Sequence, residues 1–184
     1  MKKHIMLDLE TLGTKAGCVV LSIAAVAFNP GVPITRGMEQ EFYQNIDIFD
    51  QLMKGLVIRD ETVDWWRDQS ADAQNALYHP APLPLWKVAI DFVTWIEDIG
   101  GIDCVWAKSP DFDCAVWEHC ADLVKVDVPW TFRSKRDVRT ALDIPNFRRS
   151  AVPVTPPPQP SGVKHNALDD CYQQIRELQY SLGV

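Results

Sequence analysis

Two acids one residue apart, Asp8 and Glu10, stand in the N-terminal segment HIMLDLET. If this apolar stretch is a strand, alternation puts both carboxylates on the same face. Side by side they repel, and a sheet interior holds such a pair only around a cation. A second acidic fragment, Pro110-Asp111-Phe112-Asp113, follows a short apolar run at 102–106. Asp111 suits the capping position of a helix, and Asp113 suits its first turn, where the helix dipole favours an anion. One of these aspartates is therefore explained by structure, and one is left for chemistry. The third fragment is His165-Asn166-Ala167-Leu168-Asp169-Asp170. His165 can sit just ahead of a helix that carries Asp170.

Each fragment alone has a plain structural explanation: a solvated strand end, a helix cap, a helix start. Together they describe a site. Ligands of open sheets bind at the carboxyl ends of strands, where loops and helix starts converge. Oxygen ligands without sulfur select Mg2+ or Mn2+ over zinc. Four carboxylates can hold two divalent ions about 4 Å apart, the arrangement used in phosphodiester hydrolysis. A neutral imidazole beside them can take a proton from the attacking water.

The elements that must position these residues read as an α/β chain with a mixed sheet. Residues 4–9, 18–28 and 39–48 read as strands, separated by turn residues such as Asn29-Pro30-Gly31. Asp60 is expected to cap one helix running to about Tyr78. A second helix is expected from Leu85 to Ile99, with Val88, Phe92, Trp95, Ile96 and Ile99 on its apolar stripe. A strand at 102–106, a helix from Pro110, a strand at 129–134 and a short helix from Arg136 to Leu142 follow. A proline-rich loop at about 145–162 leads to a final helix from Asn166 to Leu182. The order predicts a single domain over 1–184.

DLET, then FD, then HNALDD resemble, in order and spacing, the three motifs of the DnaQ-like, DEDDh-type 3′–5′ exonucleases of the ribonuclease H-like superfamily. KSPDFD and the Trp65-Trp66 helix are similar to the branch of phage exodeoxyribonuclease VIII-like and mycobacterial exoribonuclease-like proteins. The resemblance spans nearly the whole chain. It implies a five-stranded mixed sheet flanked by helices, and release of nucleoside 5′-monophosphates from single-stranded DNA or RNA 3′ ends. It also implies two Mg2+ or Mn2+ ions held by Asp8, Glu10, Asp113 and Asp170, with Asp8 bridging them and His165 as general base. Asp169 is then a neighbour. Thr11 and Leu12 are expected beside the terminal nucleotide. One stretch departs from the pattern: where many members carry His-Asn ahead of the central motif, this chain has Trp106-Ala107-Lys108-Ser109-Pro110. The departure touches substrate contacts and leaves the metal ligands intact.

Composition bounds these readings. The chain has 184 residues, 47% hydrophobic and 23% charged, which suits one soluble domain. Its longest apolar run, residues 18–28, is shorter than the about 20 residues a membrane helix needs. No export signal is legible near the start, so a cytoplasmic protein without a membrane partner is expected. Five cysteines without CxxC spacing predict buried free thiols and no zinc site. A net charge of −7 runs against nucleic-acid binding, unless bound cations cancel part of it and the remaining charge is unevenly placed. Arg133, Lys135, Arg136, Arg139, Arg148 and Arg149 form such a basic cluster, either a phosphate track or a solvated mixed face. Lys164, beside His165, is the best single candidate for a phosphate contact. Of Trp65 and Trp66, adjacent on a helix, one is expected in the core. The other is exposed, for a homodimer interface or for stacking on a base. Two alternatives to an exonuclease remain open: a structure-specific or endonucleolytic nuclease, and a catalytically silent nucleic-acid-binding module.

Overall fold

The computed structural model describes residues 3–147 and 161–184. Five strands form one sheet: β1 (His4–Thr11), β2 (Val20–Phe28), β3 (Glu41–Asn45), β4 (Cys104–Ala107) and β5 (Lys135–Asp137). Their order is β3-β2-β1-β4-β5. The first three pair antiparallel, whereas β1-β4 and β4-β5 are parallel, so the sheet is mixed and β1 lies at its centre. Strand β1 is central because its residues are apolar on both faces. Ile5, Leu7 and Leu9 enter one core with Val88, Phe92, Cys114 and Trp117. Met6 enters the other with Cys171, Tyr172, Ile175 and Leu178.

Helices cover both faces. The first is covered by α4 (Leu85–Asp98) and α5 (Asp113–Leu123), the second by α6 (Val138–Phe147) and α7 (Ala167–Leu182). Helix α4 buries Leu85, Val88, Ala89, Phe92 and Ile96, so Val88, Phe92 and Ile96 of the expected stripe are buried, while Trp95 and Ile99 are partly buried against the same core. In α7 the side chain of Asn166 accepts from the amides of Leu168 and Asp169, and Gly183, at φ 82°, ends the helix in the left-handed region. All five cysteines are buried free thiols. Among the described residues, no helix is long and apolar enough to cross a membrane.

Three local readings change. The single helix expected after Asp60 is two, α2 (Asp60–Arg67) and α3 (Ala71–Ala76). Arg59, not Asp60, occupies the cap position of α2. Ser70 starts α3 by accepting from Ala73 N, so a capping side chain overrides a continuous pattern. A short helix α1 (Ile48–Leu52) follows β3, because Asp47 accepts from Asp50 N and turns the chain out of the sheet. The last strand lies at Lys135–Asp137 instead of 129–134. Trp130 packs into the core from a loop, its indole donating to Glu118, while Phe132 is exposed. Most of the proline-rich stretch, together with Arg148 and Arg149, lies outside the described residues.

Candidate active site

The carboxyl ends of β1 and β4 and the N-termini of α5 and α7 meet at one rim. Asp8 and Glu10 project from the same face of β1, as alternation requires. Asp8 Oδ1 accepts from Gln174 Nε2 at 2.6 Å. Glu10 is 8% exposed, a depth at which an ionised carboxylate needs a counter-charge. Asp113 opens α5 and is 4% exposed, and its Oδ1 accepts from Leu9 N at 3.2 Å. Asp111 stands exposed outside the helix and is not its cap; Phe112 occupies that position. Asp170, in the first turn of α7, accepts from His165 N at 3.0 Å. One ligand atom from each of Glu10, His165 and Asp170 lies within 4.8 Å of the others.

These acids strain against one another. Burial, then Asp113, Glu10 and Asp170, raise Asp8 well above the ordinary carboxylate range, against the opposing bond from Gln174. Glu10 is pushed from 4.5 up to about 8 by burial, then by Asp170 and Asp113. Asp113 rises to about 7, chiefly by burial, opposed by amide bonds and by Arg139. Asp170 rises to about 6, again chiefly by burial. A fold that collects four such carboxylates at one rim favours protons there, or divalent cations in their place. The donor set is all oxygen apart from one imidazole, which fits Mg2+ or Mn2+.

His165 has φ 65°. Its imidazole is shifted below its usual value by burial and by the charge of Lys164, so the neutral ring is favoured. The ring meets Trp65 edge-on at 4.6 Å between centroids and Trp66 at 6.4 Å. Trp66 is buried and donates from Nε1 to Thr11 O at 3.0 Å; Trp65 is exposed. The pair thus divides as adjacent helical residues must, and the exposed member faces the histidine.

A cavity of about 400 Å3 opens beside Glu10. Its walls include Leu9, Thr11, Glu61, Trp65, Trp66 and Phe112. Of the two residues expected beside the terminal nucleotide, Thr11 lines this cavity, while Leu12 is packed in the core and is not among the lining residues. Lys164 is exposed at the rim, and its charge acts on His165 and Asp170. Among the described residues of the basic cluster, Arg139 is the cation whose charge acts on Asp113. Its Nε donates to Ser109 Oγ at 3.0 Å, and its charge holds Asp113 down. Lys135 is paired with Glu118, and Arg136 turns back onto the carbonyls of Arg133 and Lys135. Gln174 was not anticipated, although its spacing of four from Asp170 places it one turn along the same helix face.

Comparison with known proteins agrees with this picture. The family model described as the 3′–5′ exoribonuclease Rv2179c-like domain matches residues 3–182. An exodeoxyribonuclease of Enterobacteria phage T4 is 25% identical over 206 aligned positions, covering 96% of this chain and 88% of the phage protein. Among solved structures, cell-death related nuclease 4 (CRN-4) superposes with a TM-score of 0.69 at 17% identity. All of this chain is covered, and it spans 64% of that protein's length. The nuclease domain of 3′hExo, a DEDDh family member bound to rAMP, gives 0.61 at 13% identity, covering 99% of this chain and 92% of the domain. S. pombe Pop2p, in its Mg2+ and Mn2+ bound form, gives 0.60 at 10% identity, covering 96% and 81%. These three likenesses establish the ribonuclease H-like fold.

Proposed function

The chain belongs to the 3′–5′ exoribonuclease Rv2179c-like family of DEDDh-type nucleases, and from that premise we propose that it removes nucleoside 5′-monophosphates from single-stranded 3′ ends with His165 as general base and two divalent ions. Asp8, Glu10, Asp113 and Asp170 would hold the ions. The chemistry such ions supply is charge neutralisation at the phosphoryl group and acidification of the attacking water. The observation that carries the reading is the convergence of four carboxylates, all shifted upward, with a histidine shifted downward beside them.

The residues divide the remaining work. A ring nitrogen of neutral His165 accepts a proton from the water as it attacks phosphorus. The bond from phosphorus to the 3′ oxygen of the preceding nucleotide then breaks, and that oxygen is protonated. The apolar walls of the cavity, Leu9, Trp65, Trp66 and Phe112, suit the terminal base, and Thr11 suits its sugar. Lys164 and Arg139 are the cations best placed for phosphates. Trp65's contact with His165 favours a role at the site over an interface between two chains. One sheet with helices on both faces supports a single exonuclease domain.

The family's description names an exoribonuclease, and the phage relative is an exodeoxyribonuclease. The deciding experiment therefore uses RNA and DNA single strands of one sequence, labelled at either end, with Mg2+ or Mn2+. Stepwise loss from the 3′ end is expected. Internal cuts would replace the exonuclease reading with an endonuclease, and binding without cleavage would replace it with a silent binding module.

A further inference from the structure

Next to the half-buried Asp170 stands a buried aspartate that the proposed reaction does not use. Asp169 is 7% exposed. Its carboxylate accepts from Val163 N at 2.6 Å and is paired with the guanidinium of Arg36. Successive helical residues point about 100° apart, so Asp169 and Asp170 address different partners: Asp170 takes the amide of His165, and Asp169 takes the amide two residues earlier. A favourable helix dipole accounts for an acid in this turn. It does not account for burial against a dedicated arginine.

The segment so held needs holding. His165 lies at φ 65°, a conformation that a residue with a Cβ rarely adopts. Gly162, at φ +91°, packs so closely on Asp169 that a Cβ there would meet the carboxyl carbon at 2.5 Å. Arg36 is itself placed by the β2–β3 connection, which is tied along α7. Ile34 N donates to Gln179 Oε1 at 3.2 Å, and Gln179 Nε2 donates to Asn29 O at 3.1 Å. The Arg36 guanidinium also lies over the ring of Tyr172, 5.4 Å from its centroid.

We infer that Asp169 and Arg36 form a latch that positions His165: Asp169 grips the backbone of the histidine loop at Val163, and Arg36 neutralises and orients Asp169. The inference rests on reading His165 as the general base. Both are positioning residues, acting through the imidazole and not on the substrate.

The test compares Asp169→Asn, Arg36→Ala, Arg36→Lys, His165→Ala and the Asp169→Asn/His165→Ala double variant. It measures kcat and KM on a 3′-labelled strand, Mn2+ affinity by calorimetry, and amide hydrogen exchange across 161–165. Asp169→Asn and Arg36→Ala should lower kcat by about 10- to 100-fold, the scale of a misplaced catalytic group, with KM and Mn2+ affinity little changed. Exchange at Val163 and His165 should quicken, and Arg36→Lys should restore most of the rate. In the His165→Ala background, Asp169→Asn should add no further loss. Should Asp169→Asn not fold, Arg36→Ala carries the test, because that side chain is 50% exposed. Unchanged kcat and unchanged exchange in both single variants would overturn the latch, as would a parallel loss of Mn2+ affinity and rate, which would mean action through Asp170. A His165→Ala protein with undiminished kcat would instead overturn the general base, and hydrogen exchange would still decide whether the loop is latched.

Discussion

Without divalent ions, the protein should become less stable as the pH rises, and most of that loss should come from the acidic rim. Glu10 holds its proton up to about pH 8, where an ordinary glutamate releases it near 4.5. Its folded-state affinity for the proton exceeds its unfolded-state affinity. The stability it contributes is therefore fully present below about pH 4.5 and is lost as the pH climbs through about 8. At about 1.4 kcal/mol per pH unit, that single proton is worth on the order of 5 kcal/mol, of which about 4 kcal/mol falls between pH 5 and pH 9. Counting only one proton is appropriate, because the four carboxylates push on one another and share the same repulsion. For a chain of this size, 1 kcal/mol moves the melting temperature by roughly 2–4 °C, so a fall of roughly 10 °C between pH 5 and pH 9 is expected. The assay is thermal denaturation in a chelator at constant ionic strength, repeated for Glu10→Gln and repeated with Mn2+. The neutral variant should flatten the slope. Mn2+ should restore most stability at high pH, where it competes with the fewest protons. A wild-type melting temperature that stays flat from pH 6 to 9, or that follows Glu10→Gln throughout, would refute the reasoning.

Asp8→Ala should abolish turnover, since it removes a central ligand of the proposed pair of ions; single-turnover cleavage near the wild-type rate would count against the site. His165→Ala should lower kcat by about 100-fold or more while calorimetry finds Mn2+ binding intact, and a loss of Mn2+ binding would make the histidine a ligand. Arg139→Ala should raise KM and weaken its dependence on salt with kcat nearly unchanged, because its cation faces the rim without touching the reacting atoms. Unaltered KM and salt slope would return Arg139 to a structural role at Ser109.

The sequence revealed the candidate ligands more readily than their supports. Asp8 and Glu10 were legible because a strand imposes a period of two, and two like charges on one buried face demand an explanation. Asp113 could be separated from Asp111 only through the resemblance; in the fold, Asp113 is the first residue of α5 and Asp111 lies outside it. The central strands were legible from apolar runs. The edge strand Lys135–Asp137 was not, because its half-buried residues are all charged and no apolar pattern marks it. Helix α1 and the break at Ser70 depend on single side-chain caps, which hydrophobic periodicity does not register. The contacts of Gln174 with Asp8, of Trp65 with His165 and of Arg36 with Asp169 join segments more than 90 residues apart in the chain. Such contacts leave no local trace in a single sequence.

The central position of β1 has a consequence for when this protein can act. Asp8 and Glu10 come from the strand at His4–Thr11, and Asp170 and His165 come from the start of the helix at Ala167–Leu182. A chain emerging from the ribosome folds from its N-terminal side first, so it carries the first pair of acids long before the second half of the site exists. The proposed site is complete only when α7 docks on β1 and β2.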